Sequence, residues 1–177
     1  NSNKKYLDED NIFIFGIKPT LPSTQYGYFL TKKISKGLNK VIKFVEKPNL
    51  NKAKKIVKKK GYWNSGILFA KKSSIINHFN KYQIKTLGYC LDSYDKSKFI
   101  KKVVYLNKES FSKIQEQSFD YAILEKSNNV NGIKLDIPWS DLGNWKEISK
   151  VYQKNILKYF KKKNVHYRPW GRYVDLF

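Results

Sequence analysis

The chain has 177 residues, 41% of them hydrophobic and 16% aromatic, with 36 Lys+Arg against 14 Asp+Glu for a formal charge of +22. That length suits one domain, or one domain and part of another, and the aromatic content excludes a disordered polypeptide despite a mean hydropathy of -0.62. So large an excess of base nominates nucleic acid or an anionic membrane. Yet only Arg168 and Arg172 are arginine, and phosphate and base recognition favour the rigid arginine fork. The lysines are spread along the whole chain beside many Asn and Ile, and the alanines are Ala53, Ala70 and Ala122. This coat reads as the codon usage of a low-G+C genome and as solvated surface, with no nucleic acid as partner.

Cys90 is the sole cysteine, so no intrachain disulfide or zinc cluster is available and a cytoplasmic home is expected. No apolar run approaches a membrane span, and the first residues, NSNKKYLDED, lack the apolar core of a signal peptide. With no Met and an apolar ending, YVDLF, the sequence reads as an internal piece of something longer.

In chain order, residues 11–17 (NIFIFGI) predict a strand and residues 18–23, with two prolines, a loop. Residues 26–31 (YGYFLT) and 41–46 (VIKFVE) predict a strand pair around a Gly-bearing turn at 35–39. Pro48 ends the second strand, because the residue before proline is held extended and proline cannot donate to a ladder. From Asn49 the period changes to 3.6: Leu50, Ala53, Ile56 and Val57 share a face in an amphipathic helix closed by Gly61. Residues 62–70 (YWNSGILFA) predict a strand and 73–82 a helix, with weaker helical patterns at 91–102 and 110–117. Ser118 suits the cap of a short helix through Asp120, Tyr121 and Leu124. Residues 130–137 (VNGIKLDI) predict a strand and 145–152 a helix. Strands alternating with helices imply an α/β layered fold with a mixed sheet.

Polar residues gather where three of these elements end, the place where α/β sheets bind ligands. In FVEKP, Glu46 can accept from paired hydroxyls and Lys47 can neutralise a phosphate, a pairing suited to a phosphorylated sugar. Alone, in so lysine-rich a chain, the motif reads more often as a solvated strand end. In WNSGILF, Asn64 offers donor and acceptor to a hydroxyl, and Gly66 marks either close approach to a ligand or a bulge. In PWSDLGNW, Asp141 is a loop carboxylate that could hold Mg2+, or an Asx-turn before the next helix.

Taken together and in order, GIKPTLPSTQYGYF, FVEKP, WNSGILF, SFDYAILEK and PWSDLGNW resemble successive motifs of the mannose-1-phosphate guanylyltransferases of the sugar-nucleotidyltransferase superfamily. HYRPWGRYVDLF resembles the start of the cupin domain that follows in their long forms, which add mannose-6-phosphate isomerase activity. The resemblance implies residues 1–153 as the carboxy-terminal half of a Rossmann-like, mixed-sheet nucleotidyltransferase domain, 154–166 as a linker, and 167–177 as the first strand of a cupin-type β domain. It implies GTP and mannose 1-phosphate as substrates, Mg2+ as cofactor, no membrane partner, and room for a homo-oligomer.

By residue, it implies that Gly27 lies against the sugar, Glu46 binds its hydroxyls, Lys47 meets its phosphate and Asn64 lines the same pocket. Lys47 and Asp141 would be the catalytic groups, with Asp141 as a Mg2+ ligand, whereas Asp120 and Tyr121 shape the pocket in no assigned role. Gln25 departs from the family, which usually has Gly before YGY. Nothing in these residues resembles the family's glycine-rich nucleotide loop or its second Mg2+ aspartate, so the polypeptide alone is expected to make no GDP-mannose. His78 and His166 cannot build the cupin metal site, which excludes isomerase activity on ligand count. The alternatives are another sugar-1-phosphate nucleotidyltransferase and a lysine-rich nucleic-acid-binding module.

Overall fold

The computed structural model describes residues 10–35, 37–143, 145, 148–149 and 151–153. The chain divides into two compact units, Asn1–Ile137 and Pro138–Phe177. In the first unit the strands are β1 (Ile12–Ile17), β2 (Tyr28–Ser35), β3 (Leu38–Val45), β4 (Tyr62–Ala70), β5 (Lys98–Ile100), β6 (Val103–Tyr105) and β7 (Val130–Leu135). Its helices are α1 (Leu50–Lys58), α2 (Lys72–Tyr82), α3 (Ile84–Asp95) and α4 (Lys108–Phe111), with a π-helical turn at Asp120–Leu124.

The expected mixed sheet is present. β1 runs antiparallel to β4 and parallel to β7, and β2 pairs antiparallel with both β3 and β4. Two further partners, Asn39↔Gly132 and Lys40↔Asn131, join β3 to β7 and close the five strands into a ring. The Phe29 ring lies against Gly16 and Gly132; a Cβ on Gly132 would sit 2.8 Å from Phe29 Cε2. Bare backbone at these two glycines is what admits the ring.

Ile12, Ile14, Phe29, Val41, Phe44 and Val130 supply the strand side of the core, which Ala122, Ile123 and Leu124 of the π-helical turn complete. Ile75, Phe79 and Tyr82 of α2 pack against it. The apolar middle of the π-helical turn is thus anchored in the core. Its polar ends, Asp120 and Glu125, are left at the surface of that core.

The amphipathic helix begins as its sequence predicts: the Asn49 side chain accepts the Lys52 N–H at 2.9 Å, and Ala53 and Ile56 are buried. Its close differs from expectation. Lys60, at φ 57, takes the left-handed position, while Gly61 donates back to the Ile56 carbonyl at 3.0 Å. Gly61 is required for space instead, since a Cβ there would collide with Ile56 Cγ2 and lie 3.2 Å from Leu30 Cδ2.

The helix expected at 91–102 is corrected. α3 ends at Asp95, and β5 and β6 form a hairpin about Lys101 at φ 54. The β-branched and aromatic residues of FI and VVY carried a strand signal that the surrounding lysines masked. The helix expected at 110–117 shrinks to α4, capped by Asn107, whose side chain accepts the Ser110 N–H at 3.0 Å. The short element after Ser118 is present, with the Ser118 carbonyl accepting the Ala122 N–H at 2.9 Å.

In the second unit the described residues 145, 148–149 and 151–153 are helical. The expected linker at 154–166 and cupin strand at 167–177 lie outside the described residues. Among the described residues no helix is long and apolar enough to cross a membrane.

Candidate functional site

Gly27 precedes β2, Glu46 and Lys47 follow β3, and Asn64 lies in β4, so sheet pairing alone draws them together. The Asn64 N–H donates to the Gly27 carbonyl at 2.7 Å. Beside that bond the Tyr26 ring meets Trp63 edge-on, with centroids 4.9 Å apart. The Glu46 carboxylate lies directly on Gly27: a Cβ there would be 2.5 Å from Glu46 Oε2 and 3.1 Å from Phe44 Cζ. Any side chain at Gly27 would therefore occupy the place of the carboxylate. Four residues expected at a sugar phosphate site thus form one cluster.

Gln25, the departure from the family pattern, is accommodated without strain. Its N–H donates to Ser23 Oγ at 3.1 Å, and it is absent from the non-glycine residues with positive φ. Ser23 is pinned in turn by the buried Tyr28, whose hydroxyl accepts the Ser23 N–H and donates to the Ser23 carbonyl, both at 2.8 Å. Gly66 adopts φ 77 with no atom near its vacant Cβ position, beside a register shift between Ile14 and Gly16. The bulge reading of that glycine holds.

Lys47 corrects an expectation. β3 does stop before Pro48, but Lys47 has φ 40, left-handed and not extended. Such backbone in a residue with a Cβ costs on the order of 1–3 kcal/mol and persists only where neighbours over-determine it. The turn separates the two charges in exposure: the Glu46 side chain is 10% exposed and that of Lys47 60%, with Lys47 Nζ 3.9 Å from Glu46 Oε1. A recessed acceptor with an open ammonium above it fits a ligand that buries hydroxyls and leaves its phosphate outward.

Three residues that sequence reasoning left without a role close the cluster, all from the SFDYAILEK segment. Asp120 Oδ1 accepts from Asn64 Nδ2 at 2.8 Å, orienting that amide. Glu125 Oε1 accepts the Glu46 N–H at 2.7 Å. The Tyr121 hydroxyl approaches the Glu46 carbonyl at 3.5 Å. The available signal was the run of acids at the two ends of an apolar triplet, D-Y-A-I-L-E.

Crowding of carboxylates perturbs their protonation. Burial pushes the Glu46 carboxyl up, Asp120 and Glu125 add to the rise, and Lys47 opposes it. Asp120 is also pushed up, mainly by burial, against its own backbone hydrogen bond, the Asn64 amide and Lys47. Acids perturbed by burial and by one another at a strand end are candidates for a functional site.

Asp141 belongs to the second unit. There its carboxylate lies over Gly143, where a Cβ would be 2.8 Å from Asp141 Oδ2, in a turn with Leu142 at φ 50 and the Leu142 N–H donating to Ser140 Oγ at 3.4 Å. Among the described residues no three His, Cys, Asp or Glu side chains form a group that could hold a metal ion. Asp141 contributes one carboxylate, and Mg2+ is an ion that takes one or two carboxylates and completes its shell with substrate phosphates and water.

Comparison with known proteins places the chain among relatives of known name. Xanthan biosynthesis protein XanB of Xanthomonas campestris is 31% identical over 84% of this chain and 32% of its own length. The mannose-1-phosphate guanylyltransferase of Escherichia coli is 29% identical over 85% of this chain and 34% of its own length. The chain thus spans about a third of the curated relatives it matches. A Thermus thermophilus protein described as a mannose-1-phosphate geranyltransferase shares the fold with a TM-score of 0.71, at 23% identity over 84% of this chain and 42% of its own. A Helicobacter pylori mannose-6-phosphate isomerase gives 0.69 at 24% identity over 78% of this chain and 55% of its own. Residues 2–157, which carry every residue of the cluster, match the nucleotidyl transferase family, and the chain belongs to that family.

Proposed function

We propose that this chain carries the sugar-phosphate side of a mannose-1-phosphate guanylyltransferase, which joins mannose 1-phosphate to GTP with release of pyrophosphate. One observation carries the reading: Glu46 is recessed on Gly27 beneath the open ammonium of Lys47, beside the oriented amide of Asn64. Relatives named as mannose-1-phosphate guanylyltransferases support the choice of sugar and base.

In this reading the ionised Glu46 accepts hydrogen bonds from sugar hydroxyls, and Asn64 adds a donor whose direction Asp120 has set. Lys47 neutralises the sugar phosphate and holds its attacking oxygen towards the α-phosphorus of GTP. Positioning and charge neutralisation, without a covalent intermediate, account for the rate. Asp141 would hold Mg2+, which when bound neutralises charge on the reacting phosphates. These 177 residues contain no glycine-rich nucleotide loop, so the polypeptide alone is expected to release no pyrophosphate from GTP and mannose 1-phosphate.

The test is pyrophosphate release by the full-length gene product, offered mannose 1-phosphate with GTP and, separately, glucose 1-phosphate with other nucleoside triphosphates. Turnover restricted to mannose 1-phosphate and GTP, with a raised KM for the sugar phosphate alone in Lys47→Ala, is expected. Preference for a different pair, or an unchanged KM in that variant, would overturn the reading.

A further inference from the structure

Next to Lys47, left-handed at φ 40, the backbone of Glu46 is held by contacts from outside its own segment. The Glu46 N–H has left the strand ladder, since β3 ends at Val45, and its hydrogen bond goes to the Glu125 carboxylate at 2.7 Å. On the other side of the same residue the Tyr121 hydroxyl faces the Glu46 carbonyl at 3.5 Å. Tyr121 and Glu125 flank the triplet Ala122, Ile123 and Leu124, which is locked into the core. The backbone of the flanking residues is therefore anchored, while their side chains stay exposed, and π-helical turns of this kind recur at functional sites.

We propose that Glu125 is a positioning residue: a latch, seated on the π-helical turn, that sets the backbone of Glu46 and so aims the Glu46 and Lys47 side chains at the sugar phosphate. The proposal rests on the sugar-phosphate reading of the cluster. The latch needs an acceptor oxygen at a fixed reach, and it does not need negative charge, because its partner is a neutral N–H.

That distinction makes the test. In the full-length protein, Glu125→Gln keeps the reach and an acceptor oxygen without the charge, whereas Glu125→Asp keeps the charge and withdraws it by one methylene. The latch predicts that E125Q stays within about twofold of the parent, and that E125D raises the KM for mannose 1-phosphate about tenfold, as loss of one aimed hydrogen bond would. The KM for GTP and kcat should change by less than about threefold.

Hydrogen exchange at the Glu46 amide, followed by mass spectrometry without substrate, gives a second readout: slow in the parent and E125Q, fast in E125D. The proposal is overturned if E125D outperforms E125Q, which would make Glu125 a charge that the site uses directly. Equal exchange in all three proteins also overturns it, as does a parallel rise of both KM values. If the parent turns over no mannose 1-phosphate, the functional reading fails, while the exchange experiment still decides whether the latch exists.

Discussion

Two clusters of carboxylates in the first unit face opposite electrostatic fates. Around Glu46, three acids crowd within one site and the nearest ammonium stands 3.9 Å off, so Glu46 and Asp120 are both pushed up. Around Asp92, in α3, the Ser110 hydroxyl donates a short hydrogen bond and Lys96 Nζ lies 2.9 Å away, so the Asp92 carboxyl is pulled down, by the serine first and the lysine next. The second arrangement satisfies its charge and ties α3 to α4. The first leaves acceptor capacity unsatisfied behind an open cation, which is what a ligand site requires.

The largest expected effect breaks the first cluster. In Gly27→Ala the new methyl displaces the Glu46 carboxylate, the far end of a flexible side chain, and asks the buried Phe44 ring, 3.1 Å away, to give by a few tenths of an ångström. Loss of one charged acceptor predicts a fall of about a hundredfold in kcat/KM for mannose 1-phosphate, with Tm within about 4 °C of the parent. Steady-state kinetics and a thermal melt check both halves.

Asp120→Asn sharpens the comparison through pH. The substitution keeps an oxygen for the Asn64 amide and removes the charge that helps push Glu46 up. The acid limb of the kcat/KM profile should therefore move to lower pH. Stability shows the same sign: acids raised on folding contribute fully below their unfolded pKa, and that contribution is lost as pH rises through the folded value. Asp120→Asn should flatten this decline, as denaturant midpoints measured from pH 4 to 7 would show.

Asp92 gives the opposite slope at smaller scale. A carboxyl lowered on folding adds stability above its unfolded pKa, and that stability is lost as pH falls through the folded value. Asp92→Asn should reduce stability at neutral pH, lose the difference under acid, and leave the KM for mannose 1-phosphate unchanged.

Smallest, Asn49→Ala should cost about 1 kcal/mol by removing the α1 cap, which a denaturant melt would show.

The strands around the site were legible because their signals are local: β-branched runs, a proline after β3, and an Asn cap where the period changes to 3.6. Gly27, Glu46, Lys47 and Asn64 could be named because each stands in or beside a short motif at the end of such a strand. The hairpin at Lys98–Tyr105 was not legible, since lysines broke its alternation and cross-strand pairing decides what short segments become. Nor was the left-handed backbone of Lys47, which runs against the local preference of a residue before proline.

Composition and motif order by themselves read the charge of +22 as a coat spread along the chain and singled out one lysine, Lys47, as a candidate for chemistry. Motif order also pointed to the family and named Gly27, Glu46, Lys47 and Asn64 as candidates for its sugar side. Only the tertiary structure decided how those residues are held. Glu46 meets Glu125 across 79 positions of sequence and Asn64 meets Asp120 across 56. Contacts at such separation are made by strand pairing and core packing, so no local pattern encodes them.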